Sequence, residues 1–188
     1  MKIDLHTHCR EATATPHPNL DTVKRIVDAV KKKGLDGIAL TDHYTSGFGR
    51  AVKRMVDEEL KGEITVIPGQ EIDFMFSAGR ERGVIHMVEL FLPDELVFRF
   101  IAHPGHPYVR DLGARINGDI HGIELKNPSH ERDMDEKNIR QVAHDHGLIL
   151  LTNSDAHRLR DIGTYHNEIE LSDLMECVKL KEKKAARL

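Results

Sequence analysis

Apolar residues along this chain gather into seven short runs, 3–6, 37–41, 64–67, 84–90, 97–103, 120–125 and 148–152, several nearly continuous in Ile, Val and Leu. Runs of that length without polar alternation fit strands of a parallel sheet covered on both faces. Between them the period becomes helical. Leu20, Val23, Ile26, Val27 and Val30 share one face, with Gly34 placed as a left-handed C-cap. Asp133 with Glu136 resembles a helix-start pattern, followed by the stripe Ile139, Val142 and Ala143 and a stop at Gly147. Residues 49–61 and the run from Ser172 also read as helical, the latter ending in a Lys-rich tail that suits a solvated helix C-terminus. Strand and helix alternating at this spacing imply right-handed β-α-β units, and seven of them predict an α/β barrel. The stretches 12–19 and 105–118, richer in Pro and Gly, read as surface connections.

Length and composition narrow the picture. At 188 residues, with no internal repeat or low-complexity linker, residues 1–188 are expected to form one domain around one active site. The formal charge of −4 offers no basic surplus for a phosphate backbone, so a small substrate is expected and nucleic acid is not indicated except as a substrate. No apolar segment approaches the roughly 20 residues of a membrane helix, and a cytoplasmic location without membrane attachment is the expectation. Cys9 and Cys177 lie far apart and outside any zinc-type spacing, which suggests a reduced protein. Cys9 follows His8, yet a buried filler is its expected role.

Thirteen histidines in a chain without tryptophan change the reading most. His6 and His8 close the first run; on a strand their side chains would point to one side, about 6 to 7 Å apart. One such pair is ordinary. The second run, however, ends in Thr41-Asp42-His43, the third leads to Gln70-Glu71, the fourth carries His86, the fifth ends in His103-Pro104-Gly105, and the seventh is followed by Asp155-Ala156-His157. Six of the seven strands thus deliver an imidazole or carboxylate to what a parallel barrel makes a single face. Nitrogen and oxygen donors of this kind suit zinc, manganese, iron or nickel, and so many exceed what one tetrahedral ion can use. Two or three divalent cations are expected, with Glu71 or Asp155 suited to bridging. Asp4 and Asp42, each near a ligand histidine, are expected as outer acceptors that orient an imidazole. His144 and His146 at a helix end, and His121, His130 and His166, have ordinary solvated readings, although His130 could line the mouth.

In order and spacing these motifs resemble the polymerase and histidinol phosphatase, or PHP, domain family. They run from Asp4-Leu5-His6-Thr7-His8 through Leu40-Thr41-Asp42-His43, Pro68-Gly69-Gln70-Glu71-Ile72, Val84-Ile85-His86 and Ala102-His103-Pro104-Gly105 to Asn153-Ser154-Asp155-Ala156-His157. The resemblance implies a distorted seven-stranded, TIM-like (β/α)7 barrel holding up to three metals. It implies one metal on His6, His8, Glu71 and Asp155, a second on Glu71, His86 and His103, and a third on His43 and His157. The third is completed from the loop after the first strand by Glu11 or His17, where this chain departs from the family's usual pattern.

The expected chemistry is hydrolysis of a small phosphate ester, a phosphomonoester before a phosphodiester, by a hydroxide that zinc, manganese or iron would activate. Asp42, His43 and His106 are the candidates for protonating the leaving group, and Arg10 and Arg50 for holding phosphate oxygens. Two other readings stand beside it. One is an amidohydrolase-type C–N hydrolase, which would want an eighth strand and often a bridging lysine. The other is a non-catalytic module whose metals stabilise the fold or sense a ligand.

Overall fold

The computed structural model describes residues 1–78, 81–106, 111–116 and 118–186. In chain order it contains β1 (Lys2–Asp4), α1 (Cys9–Thr13), α2 (Leu20–Lys32), β2 (Gly37–Leu40), α3 (Gly47–Glu59), β3 (Thr65–Ala78), β4 (Glu81–Phe91), β5 (Val97–Ile101), β6 (Gly122–Lys126), α4 (Glu136–His146), β7 (Ile149–Thr152), β8 (Asn167–Glu168) and α5 (Leu171–Ala185), with 3-10 turns at Pro93–Glu95, Leu112–Arg115 and Leu159–Asp161. Of the expected connection 105–118, residues 107–110 and 117 lie outside the described residues, as do the last two of the Lys-rich tail.

The strands form one nearly closed sheet in the order β7-β6-β5-β4-β3-β2-β1-β8, so the barrel expectation holds with eight strands in place of seven. The extra strand, β8, is two residues long and too short to show any periodicity. The all-parallel expectation is corrected. β1, β2 and β3 are parallel and so are β5, β6 and β7, but β4 runs antiparallel to both its neighbours and β8 runs antiparallel to β1. The cause is local: β3 continues well past residue 67, and β4 returns along it as a ribbon with no helix between, which only antiparallel pairing allows.

The helices end close to their expected positions. α2 buries Val23, Ile26, Val27 and Val30, and Gly34 just beyond its cap takes a left-handed φ of 69°. α4 is capped by Asp135, whose side chain accepts from the Asn138 amide, in place of the expected Asp133; it stops at Gly147 in the left-handed region. The stretch 12–19 begins inside α1 and leaves it through Ala14 at φ 52°. No helix among the described residues is long and apolar enough to cross a membrane.

Closure of the barrel depends on the segments that follow β1 and β7. Thr7 bridges Ala156 in parallel, the Asp155 amide donates to the His6 carbonyl and the His8 amide to the Ala156 carbonyl, each at 2.9 Å. Lower on the same seam the Asn167 side chain stands in for missing strand pairing. Its oxygen accepts from the Thr152 amide at 2.9 Å, and its nitrogen donates to the Thr152 carbonyl at 3.0 Å and to Asn153 Oδ1 at 2.8 Å. Asn167→Ala is therefore expected to lower stability by about 2 kcal/mol and the melting temperature by about 4–8 °C, since buried amide partners are left unmade. A thermal melt within 1 °C of wild type would contradict this account of the seam.

Apolar packing surrounds the barrel on all sides. α2 and α3 pack on Ile38, Leu40 and Val66, α4 on Ile101, Ile123 and Leu125, and Leu174 and Val178 of α5 join Ile3, Leu90, Phe98 and Phe100.

Candidate metal centre

Glu71 lies just past the Pro68-Gly69 stretch of β3 and is the geometric hub of the site. Its carboxylate is buried and lies between 3.0 and 3.5 Å from five imidazoles. Oε2 faces His6, His8 and His43, while Oε1 faces His86 and His103. Asp155 adds a second carboxylate, with Oδ1 3.1 Å from His8 Nε2 and 3.5 Å from His6 Nε2. Four groups of potential ligand atoms arise there: His6, His8 and Glu71; His6, His103 and Asp155; Glu71, His86 and His103; and His8, Glu11, His43 and His157. Within each group the atoms lie within 4.8 Å of one another.

The far side of several rings is tied down in a way that leaves one nitrogen for the centre. His6 Nδ1 lies 2.9 Å from Glu124 Oε1, His103 Nδ1 lies 2.9 Å from the His106 carbonyl and His157 Nδ1 lies 2.9 Å from the Asp155 carbonyl. An N–H donated outward in each case would leave Nε2 as the nitrogen available to a cation once the ring is neutral, the arrangement that orients imidazole ligands. His86 is held on its outer side by Asp73 at 3.4 Å, and Asp73 in turn accepts from the Tyr44 hydroxyl at 2.9 Å. His86 reaches the centre from the interior of β4 because that strand is reversed, so its N-terminal half is the half near the mouth.

Charge on these groups follows their surroundings. Burial opposes ionisation of Glu71, but His6, His103 and His43 outweigh it and hold the carboxyl well below the usual carboxylate range. Burial likewise opposes ionisation of Asp155 and Glu124, and in both the neighbouring His6 prevails, so both are depressed. Burial lowers the His8 pKa to about 4, so its ring is neutral near pH 7 and its lone pair is available. The buried Asp155 Oδ1 receives no hydrogen bond of good geometry among the described residues, although His8 Nε2 lies 3.1 Å away. Ionised carboxylates, a neutral imidazole and an unsatisfied buried oxygen converging on one point are what a divalent cation requires.

Backbone strain accumulates at the same place. His103 at φ 26°, Asp155 at φ 51° and Tyr44 at φ 56° all sit in the left-handed region, a cost of about 1–3 kcal/mol each for non-glycine residues. The His103 amide is held by Glu124 Oε2 at 2.7 Å and the Asp155 amide by the His6 carbonyl.

Most expected site residues meet here; some do not. Glu11, on the inward side of α1, lies 3.8 Å from His43 and 3.6 Å from His157, whereas His17 belongs to none of the ligand groups and lines a separate surface hollow with Pro16 and Pro18. Arg10 lines a cavity of about 410 Å³ with Glu11, Asp42 and His43. Arg50 is corrected: on α3 its guanidinium stacks 4.7 Å over the Phe91 ring and bonds Ser46, away from that cavity. Asp4 and Asp42 orient backbone in place of imidazole. Asp4 accepts from the Ser154 and Gly163 amides, and Asp42 from the Arg10 amide at 2.8 Å. Burial raises Asp42 to about 6. His106 is exposed, 3.8 Å from Asp133. Cys9 is a buried filler beside Thr7, its thiol pushed up by burial.

Glu124 was not among the expected site residues. It is fully buried on β6 and serves His6, the His103 amide, Asn127 and Asn153 at once. The signal for it was a lone carboxylate inside the apolar run Gly122-Ile123-Glu124-Leu125, on the one strand thought to deliver nothing. Arg158, which the expected set did not include, lines a second cavity of about 390 Å³ together with His157.

Comparison with known proteins agrees with this architecture. A PHP-associated family model matches residues 135–179. An uncharacterized protein of Methanocaldococcus jannaschii is 28% identical over 150 residues, 69% of this chain and 84% of that protein. Among solved structures, a candidate metal-dependent phosphoesterase from Bifidobacterium adolescentis superimposes with a TM-score of 0.66 at 13% identity, covering 95% of this chain and 96% of that one. An amidohydrolase from Chromobacterium violaceum, solved with bound sulfate and no metal, has a TM-score of 0.65 at 17% identity, covering 94% and 97%. The structural likenesses establish the barrel, and the PHP-associated model matches the segment from α4 into α5.

Proposed function

We propose that this chain is a metal-dependent phosphoesterase that hydrolyses a small phosphate ester, a phosphomonoester in preference to a phosphodiester. The observation that carries the reading is the Glu71 carboxylate with three imidazoles on one oxygen and two on the other. A carboxylate flanked in this way would serve as a ligand in more than one of the cation sites these residues could form. His6, His8, Glu71 and Asp155 would hold one ion, Glu71, His86 and His103 a second, and Glu11, His43 and His157 a third. Zinc, manganese and iron all match this nitrogen and oxygen set.

When bound, such ions lower the pKa of coordinated water from about 16 to about 7 and neutralise charge on a phosphoryl group. The chain's own residues supply the rest. Cavities of about 410 Å³ beside His43 and 390 Å³ beside His157 suit a small molecule, and each carries one arginine, Arg10 and Arg158, able to grip phosphate oxygens. Of the three candidates for the leaving-group proton, His43 faces Glu71 and His106 is turned toward Asp133. Asp42 is left lining the cavity with Oδ2 buried and unpartnered.

The C. violaceum structure favours a second reading, C–N bond hydrolysis on the same barrel, although the sulfate it holds is an anion of phosphate shape. The deciding experiment loads the purified chain with zinc, manganese or iron and assays p-nitrophenyl phosphate beside an amide and a cyclic ureide. Phosphate turnover is expected, with His8→Ala reducing it at least about 100-fold and lowering metal content while the circular dichroism spectrum persists. Turnover of the amide alone would support the C–N hydrolase. No turnover of any substrate by a metal-loaded chain would favour the non-catalytic module, and a fully active His8→Ala would refute the site.

A further inference from the structure

Outside the Glu71 centre a second set of ligand-type side chains converges where the loops after β5 and β6 touch. Gly105 makes that contact possible. Its φ is 115°, and a Cβ there would stand 2.1 Å from the Asp133 carbonyl oxygen, so no other residue lets the two backbones approach. On the β6 side, successive turns from Asn127 to His130 and from His130 to Asp133 bring His130 and Asp133 back toward the same point.

The resulting geometry is specific. His106 Nδ1 and His130 Nδ1 lie 3.8 and 3.9 Å from the same oxygen, Asp133 Oδ2. The two rings stack with centroids 4.4 Å apart and planes 25° apart, so both nitrogens address that oxygen from one side. One ligand atom from each of the three residues falls within 4.8 Å of the others. Bonds of about 2.0–2.2 Å at tetrahedral angles place ligand atoms roughly 3.3–3.5 Å apart, so the two edges at Asp133 need to close by about 0.5 Å and the edge between the imidazoles by at most about 1.5 Å to surround an ion. His106 and Asp133 are half exposed and free to make that adjustment. An anion would be repelled by the carboxylate at the vertex, whereas a cation is served by all three groups. None of the three belongs to the Glu71 groups; two contacts join the sets, His130, whose other nitrogen faces Asp155 Oδ2 at 3.8 Å, and the His106 carbonyl, 2.9 Å from His103 Nδ1.

We propose that His106, His130 and Asp133 form a separate site for a divalent transition metal on the rim of the barrel mouth, with water in the remaining coordination positions. Its two nitrogens and one oxygen match the donor set of zinc. The site stands independently of the reaction assigned to the barrel.

Equilibrium dialysis of the full chain against micromolar zinc, with bound metal measured by mass spectrometry, tests it. His106→Ala and Asp133→Asn alter half-exposed side chains and should each bind one zinc fewer per chain than wild type. His8→Ala should keep that equivalent. Wild-type stoichiometry in both rim variants overturns the proposal, and loss of the rim equivalent in His8→Ala overturns its separateness.

Discussion

Glu71→Gln is expected to reduce phosphoester turnover by about 10³-fold or more and to remove at least two tightly held metal ions per chain. The amide keeps the size and shape of the side chain, so the fold should be preserved. What changes is the charge at the point on which five imidazoles converge. A neutral oxygen is a weaker ligand, and the amide nitrogen, which replaces one of the two facing oxygens, cannot ligate at all. Two groups of potential ligands include Glu71 directly, and His43 of another packs against it at 3.1 Å, so the loss spreads beyond one ion. A deficit of about 4 kcal/mol in transition-state stabilisation corresponds to the stated factor. Measurement of kcat/KM after reconstitution, paired with elemental analysis, decides the matter; turnover within tenfold of wild type would show that Glu71 does not bridge.

The second large effect is on stability. Glu124→Ala should cost about 3–5 kcal/mol, because the fully buried carboxylate satisfies His6 Nδ1, the strained His103 amide and the amide groups of Asn127 and Asn153 together. Each buried donor left without a partner costs about 1–3 kcal/mol. At this chain length the melting temperature should fall by about 10 °C. Glu124→Gln retains one acceptor oxygen and should cost less, yet it presents an amide nitrogen to two of the four donors and should weaken metal binding by about 10–100-fold through misorientation of His6 or His103. Urea unfolding of both variants, with metal affinity measured on the second, tests the pair. An alanine variant within 1 kcal/mol of wild type would mean that Glu124 is a spectator.

How legible each site residue was depended on whether its role was local. His6, His8, His43, Glu71, His103, Asp155 and His157 stand out because each closes an apolar run or follows within about five residues of one. His86 was found by the same rule for a partly wrong reason, since it sits within a reversed strand and not at the end of a parallel one. Glu11 and His17 were equivalent candidates in sequence. The helical turn of α1 and its exit at Ala14 separate them, turning Glu11 inward and carrying His17 past the mouth. Arg50 falls in the stretch that read as helical, and the face of α3 that carries it turns toward Phe91, which no local pattern of residues indicates. Glu124 went unread because a single carboxylate in an apolar strand has no local meaning until its four partners from other segments are known.

Taken alone, the sequence determined that this is an alternating α/β chain with a histidine and carboxylate centre at the ends of its strands, because apolar periodicity and the placement of chemistry-bearing residues are properties of neighbouring positions. Only the tertiary structure decided that β4 is reversed, that an eighth strand and the Asn167 side chain complete the seam, that Glu71 is the hub, and that His106, His130 and Asp133 meet on the rim. Those features join residues far apart in the chain, and strand direction, ring orientation and loop contact arise only when packing and hydrogen-bond satisfaction are solved for the whole barrel together.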